Sequence, residues 1–365
     1  MAESYDIAIV GAGIAGASLA AGLAPHAKVV LLEAEDRPGY HSTGRSAAFW
    51  TESYGGAAIQ PLTTASGPFL REHGFLSERG ALTIARRGDE ARLEAFADEF
   101  RALGVRVEML AGEALLERIP GLHADWALGA LEPDCSDIDV AGLHQHYLAT
   151  ASKAGADLLC RARLVEANHA NGWDLTFADG RSIHAKLLVN AAGAWADEVA
   201  RLAGVKPIGI TPYRRTVAQV RTSPLPPENL PLVLDLDEQF YFKPEAGRLW
   251  LSPHDETASP PCDAAPEELD VALAIDRFEQ VVDWRIERIE HKWAGLRSFA
   301  PDRLPVYGPA ADKPAFFWFA GQGGFGIQTA PAAADLACRL ILGKPAGVVD
   351  PAPYAASRYF ARLPN

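Results

Sequence analysis

Basic runs, long apolar stretches and paired cysteines are all missing from this chain, and each absence narrows what it can be. No cluster of lysine and arginine interrupts a formal charge of -13, which disfavours nucleic acid and anionic membrane as partners. No uninterrupted apolar stretch reaches the ~18 to 20 residues of a spanning helix, so no integral membrane segment is expected. The chain enters its first strand almost at once, leaving no room for a signal peptide, and the cytoplasm is the expected location. Only 4 cysteines occur in 365 residues. Cys135, Cys160, Cys262 and Cys338 form no C-x-x-C, so reduced thiols are expected in place of a disulfide or zinc site. His144 and His146 are the one close histidine pair; two apart on a helix, they face different sides and cannot readily share a metal.

What is present begins with a βαβ unit. Tyr5 to Val10 runs into Gly11-Ala12-Gly13-Ile14-Ala15-Gly16, an Ala/Leu-rich helix follows, and Lys28 to Leu32 ends at Glu33. An apolar strand entering G-x-G-x-x-G and opening a helix is a dinucleotide-binding fingerprint. Gly11 makes the tight turn, Gly13 lets a pyrophosphate approach the backbone, and Gly16 allows close helix–strand packing. The helix N-terminus offers free N–H groups and the positive end of its dipole to phosphate. Glu33 is placed to accept from both hydroxyls of a ribose, which favours an adenosine without a 2′-phosphate.

The next stretch, Gly39 to Ala48, is rich in turn formers, small residues and hydroxyls, and it ends as though starting a helix at Ser46. A capped loop and a second cofactor contact are equally compatible with it. Phe49, Trp50 and Tyr54 then form an aromatic cluster, either core or pocket lining. Periodicity predicts a strand at Ala81–Ala85 and helices over Asp89–Leu103 and Val140–Lys153. Leu158–Val165 and Trp173–Phe177 read as strands, the second entered through the hairpin signal Asn171-Gly172. Ile183–Val189 leads into Asn190 to Trp195, whose small residues resemble the first turn. Alternating strands at Pro212–Val220, Gln239–Phe242 and Leu249–Leu251 predict an antiparallel second sheet, covered by a helix over Pro266–Asp283. A last apolar strand, Phe316–Ala320, enters Gly321 to Gln328, read as the opening of a final helix to about Leu342. A chain of this length implies two domains.

Together these segments resemble the FAD-dependent D-amino acid oxidase superfamily, the group with glycine and sarcosine oxidases, with the nearest likeness to bacterial D-arginine dehydrogenases. The carrying residues are Gly11 to Gly16 with Glu33, Gly39 to Ala48, Val189 to Trp195, Trp293-Ala294-Gly295-Leu296-Arg297, and Gly321 to Gln328. The resemblance implies a Rossmann-like α/β FAD domain, discontinuous over residues 1–80, 140–205 and 290–365, beside an antiparallel-sheet substrate domain over 81–139 and 206–289. It further implies cofactor contacts from Gly11, Gly13, Ile14, Ala15, Gly16 and Glu33. The second motif would add Ser42, Thr43, Arg45, Ser46, Ala47 and Ala48, and the middle of the chain Val165, Ala192, Gly193, Trp195 and Gly295. The last motif would supply Gly323, Gly324, Phe325, Gly326, Ile327 and Gln328. No cysteine lies in a matching motif, so noncovalent FAD is expected.

In the same way, Arg215 and Arg297 look like the pair that grips a substrate carboxylate, with Tyr241 as hydroxyl partner. Tyr54 resembles a mobile tyrosine that shuts the site, and Gly324 and Gln328 resemble contacts near amine and flavin. Two departures bear on substrate. Ala81 stands where the D-arginine enzymes carry a glutamate, and Phe49, followed by Trp50, stands where they carry a histidine. A cationic side chain would lack a counter-charge there, at roughly several kcal/mol, so a neutral, apolar D-amino acid is the expected substrate. Flavin would pass its electrons to a quinone or to O2. A secondary amine or 2-hydroxy acid substrate, an NAD-dependent dehydrogenase, and a noncatalytic flavin-binding subunit are the competing readings.

Overall fold

The computed structural model describes residues 3–359. Its first layer is an eight-stranded sheet built on the strand Glu3–Val10. That strand pairs in parallel with Val29–Leu32 on one side and Ser182–Asn190 on the other. Ser182–Asn190 is long enough to pair twice along its far edge, antiparallel to Trp173–Phe177 and parallel to Phe316–Ala320. Segments distant in sequence thus meet in one sheet, and the apolar strands Val29–Leu32 and Phe316–Ala320 are buried throughout. Apolar clusters cover both faces, as a mainly parallel sheet requires. One contains the helices Ile14–Leu23, Val140–Lys153 and Ala330–Ile341.

The second layer is a ten-stranded sheet organised on the antiparallel pair Thr211–Ser223 and Arg285–Phe299. It is antiparallel apart from the parallel pairing of Leu232–Asp235 with Ala81–Arg86. Its outer face packs on the helix Glu268–Glu279 through Val271, Ala274 and Phe278. The opposite face carries Arg215, Tyr241 and Arg297. Since Arg285–Phe299 lies in this sheet, the second sheet continues past the boundary expected at residue 290. The expected end of the FAD domain at residue 365 lies outside the described residues.

Several local expectations differ from the structure. No helix starts at Ser46: residues 43–45 form a single 3-10 turn, and Phe49–Trp50 pairs as a strand with Ser136–Ile138. The strand expected over 158–165 is two, Asp157–Leu159 at the edge of the first sheet and Leu164–His169 in a hairpin. The final helix begins at Ala330, after the glycine turn. For Phe49–Trp50 and Asp157–Leu159 the cause is pairing with strands far along the chain, which outweighs local propensity.

Candidate active site

The first turn builds a cradle. Gly11 has φ +103°, and a Cβ there would lie 2.5 Å from the Ala191 carbonyl, so only glycine fits between the two inner strands. Among the described residues the amides of Gly13 and Ala15, at the start of the helix, donate to no protein acceptor, as expected of a helix N-terminus. The Ile14 amide donates to Thr43 Oγ1 at 3.0 Å, which ties the second motif to the first. His144 Nε2 lies 2.9 Å from the Ala12 carbonyl, fixing the turn from behind. Glu33 is buried, and its two carboxylate oxygens accept from the Ala12 and Glu35 amides at 3.1 and 3.0 Å. Each oxygen keeps acceptor capacity for a further donor, and Glu33 lines the adjoining cavity.

These groups border a cavity of about 490 Å³, within the range of cofactor sites. Gly11, Gly13, Ile14, Ala15, Glu33 and Val165 line one part. Ser42, Thr43, Ser46, Ala192, Gly193 and Trp195 line another, and Gly323, Gly324, Gly326, Ile327 and Arg297 close the end. Unpaired amides at a helix N-terminus, a carboxylate ending the second strand, and a long mostly apolar trough fit a dinucleotide with a flat ring. Among the described residues no cysteine borders it.

A second, small cavity of about 30 Å³ adjoins the first. Phe49, Tyr54, Arg215, Tyr241, Arg297 and Gln328 line it, with Ala47, Ala48 and Gly324. Arg215 and Arg297 come from adjacent antiparallel strands, where Arg215 faces Gly295 and Arg297 faces Tyr213. A Cβ on Gly295 would sit 2.9 Å from Arg297 Nη1, so this glycine makes room for the guanidinium. The two arginines are held differently. Arg215 donates to the Asp255 carbonyl at 2.9 Å and to Glu256 at 3.1 Å. Arg297, 7% exposed, makes a single 3.5 Å contact with the carbonyl of Leu296. Burial, and then the charge of Arg215, push the Arg297 guanidinium below its ordinary range. It remains a cation, without a carboxylate among the described residues.

The aromatic wall is a closed ring of contacts. Phe49 lies 5.4 Å from Tyr54 and 6.1 Å from Tyr241, and both tyrosines lie near His254, at 6.3 and 5.9 Å between ring centroids. The Tyr54 hydroxyl stands over Gly324, at 2.5 Å from where a Cβ would be.

Several expected site residues sit elsewhere. Trp50 turns into the core, donates to the Thr63 carbonyl at 2.9 Å and stacks under Arg71, so it lines neither cavity. Ala81 packs behind Phe49 and Tyr241. Arg45 points away from the cofactor cavity, toward the Ala264 carbonyl and Asp263. Gly16 is a packing glycine, its absent Cβ 1.9 Å from the Gly11 carbonyl. Gly295 serves Arg297, and Phe325 packs with Ile59 and Phe299. Ala47, Ala48 and Gln328 border the small cavity only. The amide of Gln328 donates to the Tyr54 carbonyl and Thr63 Oγ1 at 3.2 and 2.9 Å, so it braces the Tyr54 segment.

Sequence reasoning missed Glu132 and His254. Glu132 ends a strand directly opposite Ala81, so a carboxylate does lie beside that position. It faces the Thr51–Ser53 turn, where four protein donors engage it. His254 has φ +52° and a buried Nε2 without a partner. An acid at a strand end and a histidine in a loop carry no motif of their own.

A cofactor-sized cavity with a dinucleotide turn, opening onto a buried cation, defines a nucleotide-dependent oxidoreductase. The family model described as FAD dependent oxidoreductase matches residues 6–340. The chain belongs to that family, and its cofactor is FAD. It is 25% identical to glycine oxidase of Geobacillus kaustophilus over 383 residues, covering 100% of this chain and 99% of that protein. It is also 25% identical to hydrogen cyanide synthase subunit HcnC of Pseudomonas aeruginosa, covering 98% and 97%. L-2-hydroxyglutarate dehydrogenase of Escherichia coli is 26% identical over 58% of this chain and 53% of its own. The crystal structure of the Geobacillus glycine oxidase superposes with a TM-score of 0.84 over 98% and 99% of the two chains, at 24% identity. L-proline dehydrogenase from P. horikoshii gives 0.82 at 22% identity, covering 94% and 95%.

Proposed function

We propose that the protein oxidises the Cα–N bond of a neutral amino acid, of D configuration where Cα is chiral, and with a small side chain. The observation that carries this reading is Arg297, a buried cation without a carboxylate partner that borders both cavities. A substrate carboxylate would supply the missing partner. Guanidinium suits it because its donors form a planar fork. Arg215, already braced by the Asp255 carbonyl and Glu256, would grip the same carboxylate without swinging. Tyr241 would add a hydroxyl.

Phe49, Tyr54 and Tyr241 exclude water and disfavour an ammonium, so the amine is held uncharged. The bound FAD supplies a two-electron acceptor for the hydride that leaves Cα. The amine lone pair assists that loss, and the imino acid hydrolyses to a 2-oxo acid and ammonia in solution. The electrons then pass to a quinone or to O2. The small cavity, about 30 Å³ where it opens from the cofactor trough and walled by Phe49, Tyr54 and Tyr241, narrows the expected substrate from apolar D-amino acids in general to small ones. With Tyr54 closed, glycine, D-alanine or a small secondary amine such as sarcosine fits better than D-leucine or D-phenylalanine. A two-carboxylate hydroxy acid is disfavoured by the same size argument.

The full-length similarity to glycine oxidase supports glycine among the primary amines; secondary amines are the second reading. Reduction of an artificial two-electron acceptor, measured across glycine, D- and L-alanine, D-leucine, D-arginine, sarcosine, proline and 2-hydroxy acids, tests both readings. Glycine or D-alanine at the top supports the first, sarcosine or proline the second. Turnover of L-alanine or of a 2-hydroxy acid alone would refute both. Among the described residues no helix is long and apolar enough to cross a membrane.

A further inference from the structure

Tyr54 follows a turn that is bolted at two points, by Glu132 and by Gln328. On the upstream side Glu132 accepts from Thr51 Oγ1 and Ser53 Oγ at 2.6 Å each, from the Glu52 amide at 2.6 Å and from the Ser53 amide at 3.3 Å. Gln328 adds bonds to the Thr51 amide and the Tyr54 carbonyl. On the downstream side Gly55 and Gly56 have φ of +100° and +80°. Glu132 itself is 3% exposed, at the end of the strand Trp126–Glu132. A buried carboxylate that needs four donors, three of them from one turn's hydroxyls and amide at 2.6 Å, is a costly device for holding a loop. It is understandable where the position of that loop matters. We infer that Glu132 is a positioning residue that sets the size of the substrate cavity, by fixing where the Tyr54 phenol stands over Gly324.

Glu132 and Gln328 together fix the backbone at both ends of residues 51–54, which leaves the Tyr54 phenol one position over Gly324. Every donor favours the ionised form of Glu132, against a burial that raises its affinity for a proton. Replacing it by the isosteric amide removes one acceptor and the charge while keeping the volume. This inference rests on the proposed amino acid substrate only for its kinetic readout.

The variants are Glu132→Gln and, on the donor side, Ser53→Ala, so that a misfolded first variant leaves the second. The main readout is the ratio of kcat/KM for glycine or D-alanine to that for D-leucine, in FAD-loaded protein. A fall of about tenfold or more in this ratio is expected, with the large substrate unchanged or improved. Parallel loss for both substrates, accompanied by a lower Tm, would make Glu132 merely structural and overturn the inference, as would an unchanged ratio.

Should no amino acid be turned over by the unaltered protein, the functional reading fails by itself. The inference is then decided by hydrogen exchange over residues 51–56. Faster exchange confined to that segment in Glu132→Gln supports it, and unchanged exchange overturns it.

Discussion

Replacing Arg297 by methionine separates binding from folding in a way that few substitutions can. The guanidinium is buried, close to a second cation, and without a carboxylate. An ion held away from water without compensation costs a fold several kcal/mol after relaxation. Methionine has similar length, fills the space and carries no charge. If about 2–3 kcal/mol of that cost is recovered, then at roughly 1.3 °C per kcal/mol for a chain of this size the Tm rises by about 3–4 °C. Activity moves the opposite way. Hydrogen bonds to a charged partner contribute about 1.5–3 kcal/mol each, so loss of a forked pair lowers kcat/KM by about 10² to 10⁴. The assay is a thermal melt of FAD-loaded protein, with and without a saturating small carboxylate, beside steady-state kinetics. In the unaltered protein the carboxylate raises Tm; in Arg297→Met it does not. A variant with lower Tm and undiminished kcat/KM would refute the view that Arg297 is an unpaired cation kept for substrate.

Gly11→Ala meets the Ala191 carbonyl at 2.5 Å in a left-handed backbone, so the protein should purify with little flavin, read from the ratio of visible to ultraviolet absorbance. His254 is held neutral by burial and by Arg215, its pKa pushed down to about 3. Because its folded pKa lies below the unfolded value, its contribution is present above about pH 6.5 and is lost as pH falls toward 3. His254→Asn, in which asparagine tolerates φ +52°, should flatten the fall of Tm with acid across that window. Acid precipitation should release all the flavin into the supernatant, since no cysteine among the described residues borders the cavity; flavin retained in the pellet would contradict noncovalent binding.

The glycine turn, Glu33 and the small-residue ends of later strands were legible in the sequence because backbone approach demands specific residue types there. Helix Val140–Lys153 is found at its expected bounds because its cap and period are local signals. Phe49–Trp50 was not legible as a strand, since its partner lies far along the chain. Trp50 and Phe49 alternate across that strand, which sends one into the core and the other to the cavity. Arg45 and Arg215 look alike in sequence; Asp263 turns the first outward, and Glu256 and the Asp255 carbonyl brace the second. The Glu132 carboxylate accepts from a turn some 80 residues earlier, a relation that no spacing rule contains.

The most direct test of the account is anaerobic mixing of the FAD-loaded protein with single small amino acids while the flavin band is followed. Rapid bleaching by glycine or D-alanine, slow bleaching by D-leucine and D-arginine, and bleaching slowed about 100-fold or more in Arg297→Met is the predicted result. Fast bleaching by D-arginine, or bleaching at an undiminished rate after the loss of Arg297, would contradict it.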